Sequence, residues 1–124
     1  MNTLSIDSTK SSPEVRLTPD GNIKIKGRSI SENIVDFYKP VGEWINEYIR
    51  MPADITRVDV SLEYFNSASS KILINLCFRL THVQLKHKKL IINWYYEDGD
   101  EDIREKGEYF SSVLNVPFNF IKID

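Results

Sequence analysis

Val58-Asp59-Val60-Ser61-Leu62-Glu63-Tyr64-Phe65 followed by Asn66-Ser67-Ala68-Ser69-Ser70-Lys71 and Ile72-Leu73-Ile74-Asn75-Leu76-Cys77-Phe78-Arg79-Leu80 decides the fold. The first part alternates: Val58, Val60, Leu62 and Tyr64 against Asp59, Ser61, Glu63 and Phe65. A period of two is the mark of a strand. Ile72, Leu73, Leu76, Cys77, Leu80 and Val83 recur at spacings of three and four, one face of a helix. The join between them holds no glycine and no proline, only Asn66 and small hydroxyl or methyl side chains. The first backbone N–H groups of a helix lack partners within it. Asn66 or Ser67 can cap them with a side-chain oxygen, and the same end of the helix favours an added anion. A serine at this join is therefore placed either to cap or to carry a phosphate.

Working outward, Pro13 to Leu17 and Ile23 to Lys26 read as two strands around the turn Pro19-Asp20-Gly21-Asn22. Pro presets φ in such a turn and Gly supplies a positive φ, so the pair forms a β-hairpin ending at Gly27. Lys24 and Lys26 fall on its solvent face, where they guard an edge. Residues 1–12 are rich in Ser and Thr and read as a flexible tail, with Leu4 and Ile6 able to pair at a sheet edge. Ser31-Glu32-Asn33 opens a first helix carrying Ile34, Phe37, Val41, Trp44, Ile45, Tyr48 and Ile49. Pro40 implies either a start near Asp36 or a kink.

Leu90 to Tyr96 is nearly continuous and apolar, the pattern of a strand buried on both faces. A weaker third helix follows around Ile103, Gly107 and Phe110 to Leu114, then a last strand from Val116 to Ile123 with Pro117 at its start. The order β-β-α-β-α-β-α-β implies a single α/β domain over residues 1–124. Its sheet should be mixed, with largely parallel later strands joined by right-handed crossovers.

Composition narrows the chemistry. The 124 residues carry a net charge of −2, which argues against a nucleic-acid partner. No apolar run reaches the roughly 20 residues of a membrane span, and Met1 to Ser12 lacks the pattern of a secretory signal. The single cysteine, Cys77, lies on the apolar face of the central helix and reads as a buried structural thiol in a reducing compartment. These points predict a soluble, cytoplasmic protein.

Neither glycine-rich phosphate-loop pattern occurs, and the two histidines, His82 and His87, have no nucleophile or metal-ligand partners at suitable spacing. Neither catalytic residues nor a cofactor are expected. The acidic run Glu97-Asp98-Gly99-Asp100-Glu101-Asp102 departs from a calcium loop, which needs about 12 residues between two helices. A turn followed by a first helical turn explains it, since acids there favour the dipole. A metal-binding or hydrolytic enzyme built on these acids is one alternative, and a plain structural or oligomeric module another.

Four stretches carry a resemblance: Ser31-Glu32-Asn33 with Trp44 and Tyr48; Glu63-Tyr64-Phe65-Asn66-Ser67 with Ser69-Ser70-Lys71; Ile92-Asn93-Trp94-Tyr95-Tyr96-Glu97; and Pro117-Phe118. Together they resemble the SiaC-like bacterial regulatory phosphoproteins, over nearly the whole chain. The resemblance implies a fold like that of STAS-type anti-sigma-factor antagonists and a non-catalytic role in partner switching. A Ser/Thr protein kinase would phosphorylate the hydroxyl after the Asn, and a PP2C-type phosphatase would reverse it. The unphosphorylated form would bind and activate a GGDEF-type diguanylate cyclase, raising cyclic di-GMP and promoting biofilm. The implied phosphosite is Ser67. Ser69 is the second choice, because the family tends to have Thr-Ser-Ser where this chain has Ser67-Ala68-Ser69. Tyr64, Asn66, Ser69, Ser70 and Lys71 would surround the phosphosite, with Glu32, Asn33, Glu63 and Phe65 expected at the partner surface. Glu63 would add to the repulsion of a charged partner.

Overall fold

A computed structural model describes residues Met1–Asp124. Six strands form one sheet, β1 (Leu4–Ile6), β2 (Glu14–Leu17), β3 (Asn22–Ser29), β4 (Ile55–Phe65), β5 (Lys89–Glu97) and β6 (Asn119–Ile123), in the spatial order β1-β2-β3-β4-β5-β6. The first three strands are antiparallel, and β3 through β6 are parallel. The parallel pairs are bridged by α1 (Ile34–Tyr48), α2 (Ser67–Leu80) and α3 (Glu101–Leu114), with a short 3₁₀ helix over Thr81–Lys86 extending α2. The mixed α/β sheet and its strand order are consistent with a STAS-like domain.

Sequence order and spatial order coincide, so all three crossovers step the same way along the sheet. Crossovers of one hand that step in one direction lay their helices on one face. Burial follows: Ile23, Ile25, Val58, Val60, Leu62, Ile92 and Trp94 are buried under the helices. Lys26, Arg57 and Asn119 on the other face are exposed, and Asp59, Asn93 and Tyr95 are only half-buried. The apolar run of β5 is therefore covered on one side only, where burial on both was expected. On the open side, Asp59 Oδ1 accepts from Asn93 Nδ2 at 2.9 Å and from the Tyr95 hydroxyl at 3.1 Å. This polar ladder lets β5 and its neighbour face water.

The hairpin forms as its turn demands. Gly21 has φ +100°, and a Cβ there would run into the Ile55 carbonyl. β3 does not stop at Gly27, however, but continues to Ser29 through an irregularity: Gly27 pairs with Leu62 and Arg28 with Tyr64. Glu63 is the extra residue, and Gly27 has φ +125°. Such a bulge bends the strand and resets its alternation. From here Tyr64 faces solvent at 52% exposure while Phe65 is 2% exposed, the reverse of the simple alternation.

The N-terminus is tied down, so of its two readings the paired one holds. β1 lies antiparallel on β2, and the Trp44 indole N–H donates to the Asn2 carbonyl at 2.8 Å. In α1 the regular turns begin at Ile34, two residues earlier than the start that would excuse Pro40. Pro40 thus lies inside the helix, on its exposed side, where it removes one backbone donor. Ile34, Tyr38, Val41, Trp44, Ile45 and Tyr48 still form the buried stripe.

Candidate functional site

β4 ends at Phe65 and α2 begins at Ser67, with Asn66 between them as the cap. Asn66 is extended (φ −85°, ψ 176°), and its Oδ1 accepts from Ser69 N–H at 2.9 Å. That settles which residue caps: Ser67 makes no cap bond and is exposed at the first helical position.

Ser69 is held quite differently. It is 0% exposed, and its hydroxyl donates to the Ser29 carbonyl at 2.7 Å. The Ser29 hydroxyl lies 2.8 Å from Ser69 Oγ and 2.8 Å from the Tyr38 hydroxyl. Asn66 N–H donates to the same Ser29 carbonyl at 3.2 Å. One buried cluster therefore joins the end of β3, the middle of α1 and the start of α2. Burial pushes the Tyr38 phenol up to about 12, with the Ser29 hydrogen bond pulling modestly the other way. The cluster consists of neutral hydroxyls throughout the physiological range. Ser69→Ala should cost about 1–3 kcal/mol, because it strips partners from buried hydroxyls. Ser67→Ala should stay within about 0.5 kcal/mol of wild type, because nothing depends on that hydroxyl. Urea unfolding of the two variants checks the contrast.

Ser67 opens onto a cleft of about 450 Å³ between the start of α2 and the middle of α3. Tyr64, Ser70 and Lys71 lie on its near side, with Lys106 and Tyr109 of α3 opposite. The Lys106 ammonium sits 5.2 Å from the Tyr64 ring centroid and 5.0 Å from that of Phe65. The site lies at the carboxyl ends of parallel strands, where α/β sheets commonly carry their functional groups.

The residues expected at the partner surface do not all gather here. Phe65 is a core residue, packed edge-on against Trp94 and Phe110 at 5.9 Å, and borders the cleft with only 2% of its surface exposed. The bulge at Glu63 is the physical reason. Glu63 itself lies outside the cleft and forms an exposed ion pair with Arg28 at 3.0 Å. Glu32 and Asn33 are exposed just before α1. The register of Ser29 with Phe65 brings the chain leaving β3 past this same end of the sheet. Lys106, Tyr109, Ser29 and Tyr38 were absent from the sequence reading. For Lys106 and Tyr109 no local signal exists. Tyr38 had one, a phenol that falls among the apolar residues of α1 and needs a hydrogen-bond partner when buried.

The other candidates resolve into structure. In the acidic run, Asp98 and Gly99 form the turn, and Asp100 caps α3 by accepting from Ile103 N–H at 3.1 Å. Glu101 and Asp102 occupy the first turn of α3. No three His, Cys, Asp or Glu side chains come together to hold a metal ion. Cys77 is buried, and that burial raises its thiol to about 12, far from a reactive thiolate. No helix is long and apolar enough to cross a membrane.

Known proteins share this architecture. The apo-SiaC crystal structure from Pseudomonas aeruginosa superposes with a TM-score of 0.87 at 22% identity, covering 98% of this chain and 99% of that one. The SiaC fold in the crystal structure of the diguanylate cyclase SiaD with its activator SiaC, also from Pseudomonas aeruginosa, gives a TM-score of 0.89 at 22% identity, covering 97% of this chain and 99% of that one. An uncharacterized protein of Pseudomonas aeruginosa strain UCBPP-PA14 is 24% identical over 119 residues, covering 95% of this chain and 94% of its own length. The family described as "SiaC family regulatory phosphoprotein" matches residues 6–123. A match over nearly the whole length places this chain in the SiaC family of regulatory phosphoproteins.

Proposed function

We propose that this protein is a non-catalytic switch whose unphosphorylated form binds and activates a GGDEF-type diguanylate cyclase. A Ser/Thr kinase phosphorylates Ser67 and so blocks the complex, and a PP2C-type phosphatase restores it. The observation that carries this reading is the contrast between two hydroxyls two residues apart. Ser67 is exposed at the start of α2 and engaged by nothing, whereas Ser69 is 0% exposed and engaged twice. A kinase can reach the first without disturbing the fold. Family membership supports the regulatory role, and the relative crystallised with SiaD is named as that cyclase's activator. A lone, buried, unpaired thiol suits the cytoplasm, where we place the exchange.

The physical basis is local charge. A phosphoserine adds about −1.5 to −2 charge at pH 7. At a helix N-terminus that charge is tolerated by the helix. Its effect therefore falls on whatever packs against the exposed start of α2. Ser67→Asp should weaken binding to the host's cyclase about tenfold, near 1.4 kcal/mol. Ser67→Ala should bind as wild type does. Calorimetric titration against the purified cyclase, with cyclic di-GMP output as a second readout, decides the matter. Wild-type affinity and output from a protein stoichiometrically phosphorylated at Ser67 would sink the proposal.

A further inference from the structure

Two cations in the Ser67 cleft have no carboxylate to answer them. Lys71 lies one helical turn beyond Ser67, at the spacing where side chains on a helix meet. Lys106 reaches the cleft from α3 and rests over the Tyr64 and Phe65 rings at 5.2 and 5.0 Å. The chain's ion pairs all lie elsewhere, although α3 is rich in acids and Arg104 on the same helix is paired with Glu108. Lys106 is held by aromatic faces alone, a weak and readily exchanged attachment beside a phosphate oxygen.

We propose that Lys71 and Lys106 form a built-in receptor for a phosphate on Ser67, so that phosphorylation ties α2 to α3 and draws Lys106 off Tyr64. This deepens, and rests on, the assignment of Ser67 as the phosphoacceptor. A dianion between two ammonium groups is close to neutralised. Phosphorylation then does more than add negative charge to a surface. It engages two free cations, occupies part of the cleft and uncovers one face of a tyrosine that is 52% exposed. A carboxylate at position 67 is shorter and carries one charge, so it cannot bridge both lysines as a phosphate does. Ser67→Asp is accordingly an incomplete mimic.

The test uses the full-length chain with phosphoserine encoded at position 67, followed by phosphorus NMR across pH. A phosphoserine ordinarily takes up its second proton near pH 6, at a pKa of about 6. Flanking cations favour the dianion and lower that value. The wild-type background should titrate about half a unit or more below an unstructured phosphopeptide. Lys71→Met with Lys106→Met should return at least half of that shift while keeping chain length and ring contact. Thermal melting of the double variant without phosphate confirms that it still folds. Equal titration in wild type and double variant overturns the receptor, as does a wild-type value equal to the free peptide's. Cyclase binding by the same phosphoprotein separates the two ideas. Lost binding with ordinary titration removes the receptor and keeps the switch. Retained binding with lysine-dependent titration removes the switch and keeps the receptor.

Discussion

Phe65→Ala should cost about 3–5 kcal/mol, enough to remove much of the stability of a domain this size. The ring is 2% exposed and meets both Trp94 and Phe110 edge-on. These three aromatics join the end of β4 to β5 and α3, so truncating the central one leaves a cavity that three elements share. Tyr64→Ala, one residue away, should cost less than about 1 kcal/mol, losing mainly the Lys106 contact. Chemical denaturation of the two variants reads the contrast directly. Any binding survey of this region must include that measurement. A Phe65 variant that fails to bind the cyclase would otherwise pass for an interface mutant when it is a destabilised one.

Gly107→Ala should be destabilising by about 2 kcal/mol, where the same change in an ordinary helix interior stabilises by about 1. A Cβ at position 107 would stand 2.5 Å from Trp94 Nε1 and 2.6 Å from Cδ1. The indole cannot simply turn away. Its N–H donates to the Ile103 carbonyl at 2.9 Å, one turn earlier on α3, and its ring packs on Phe110 and Phe118. Overpacking and the lost hydrogen bond together outweigh the gain in helix propensity. The sign of the effect, read from urea midpoints, is the test. A stabilised Gly107→Ala protein would mean that α3 stands further from β5 than the structure has it.

These two residues also show what the sequence could and could not disclose. Val58, Val60 and Leu62 announce their strand because the pleat repeats every two residues. Leu73, Leu76 and Leu80 announce their helix for the corresponding reason. Both signals are local. The bulge at Glu63 is not, since it depends on Gly27 in the neighbouring strand, and one slip of register exchanged the roles of Tyr64 and Phe65. The apolar run of β5 conceals its open face for a similar reason. Whether one or both faces are covered depends on strand order, which leaves no mark within the run itself. Ser69 had a readable cue. Stepping back four residues from Leu73 along the buried face of α2 lands on it, and a residue on that face is not free to meet a kinase. Lys106 had none, because α3 reaches the Ser67 cleft only through the packing of the whole sheet.

The coincidence of spatial and sequence order has a consequence for how the molecule is built. No strand is inserted between two that are already paired. As the ribosome releases the chain, β1, β2 and β3 can form a meander, and each later helix and strand can add at the free edge. Each parallel pairing closes only across a whole helical crossover, a slow kind of contact, while synthesis proceeds N-terminus first at about 5–20 residues per second. Assembly can therefore follow the order of translation, one crossover at a time. The unit of α3 with β6 brings Lys106 and Tyr109 to the cleft. The surroundings of Ser67 are complete only once α3 and β6 have docked, so a chain released only as far as α2 offers the serine without the surface that goes with it.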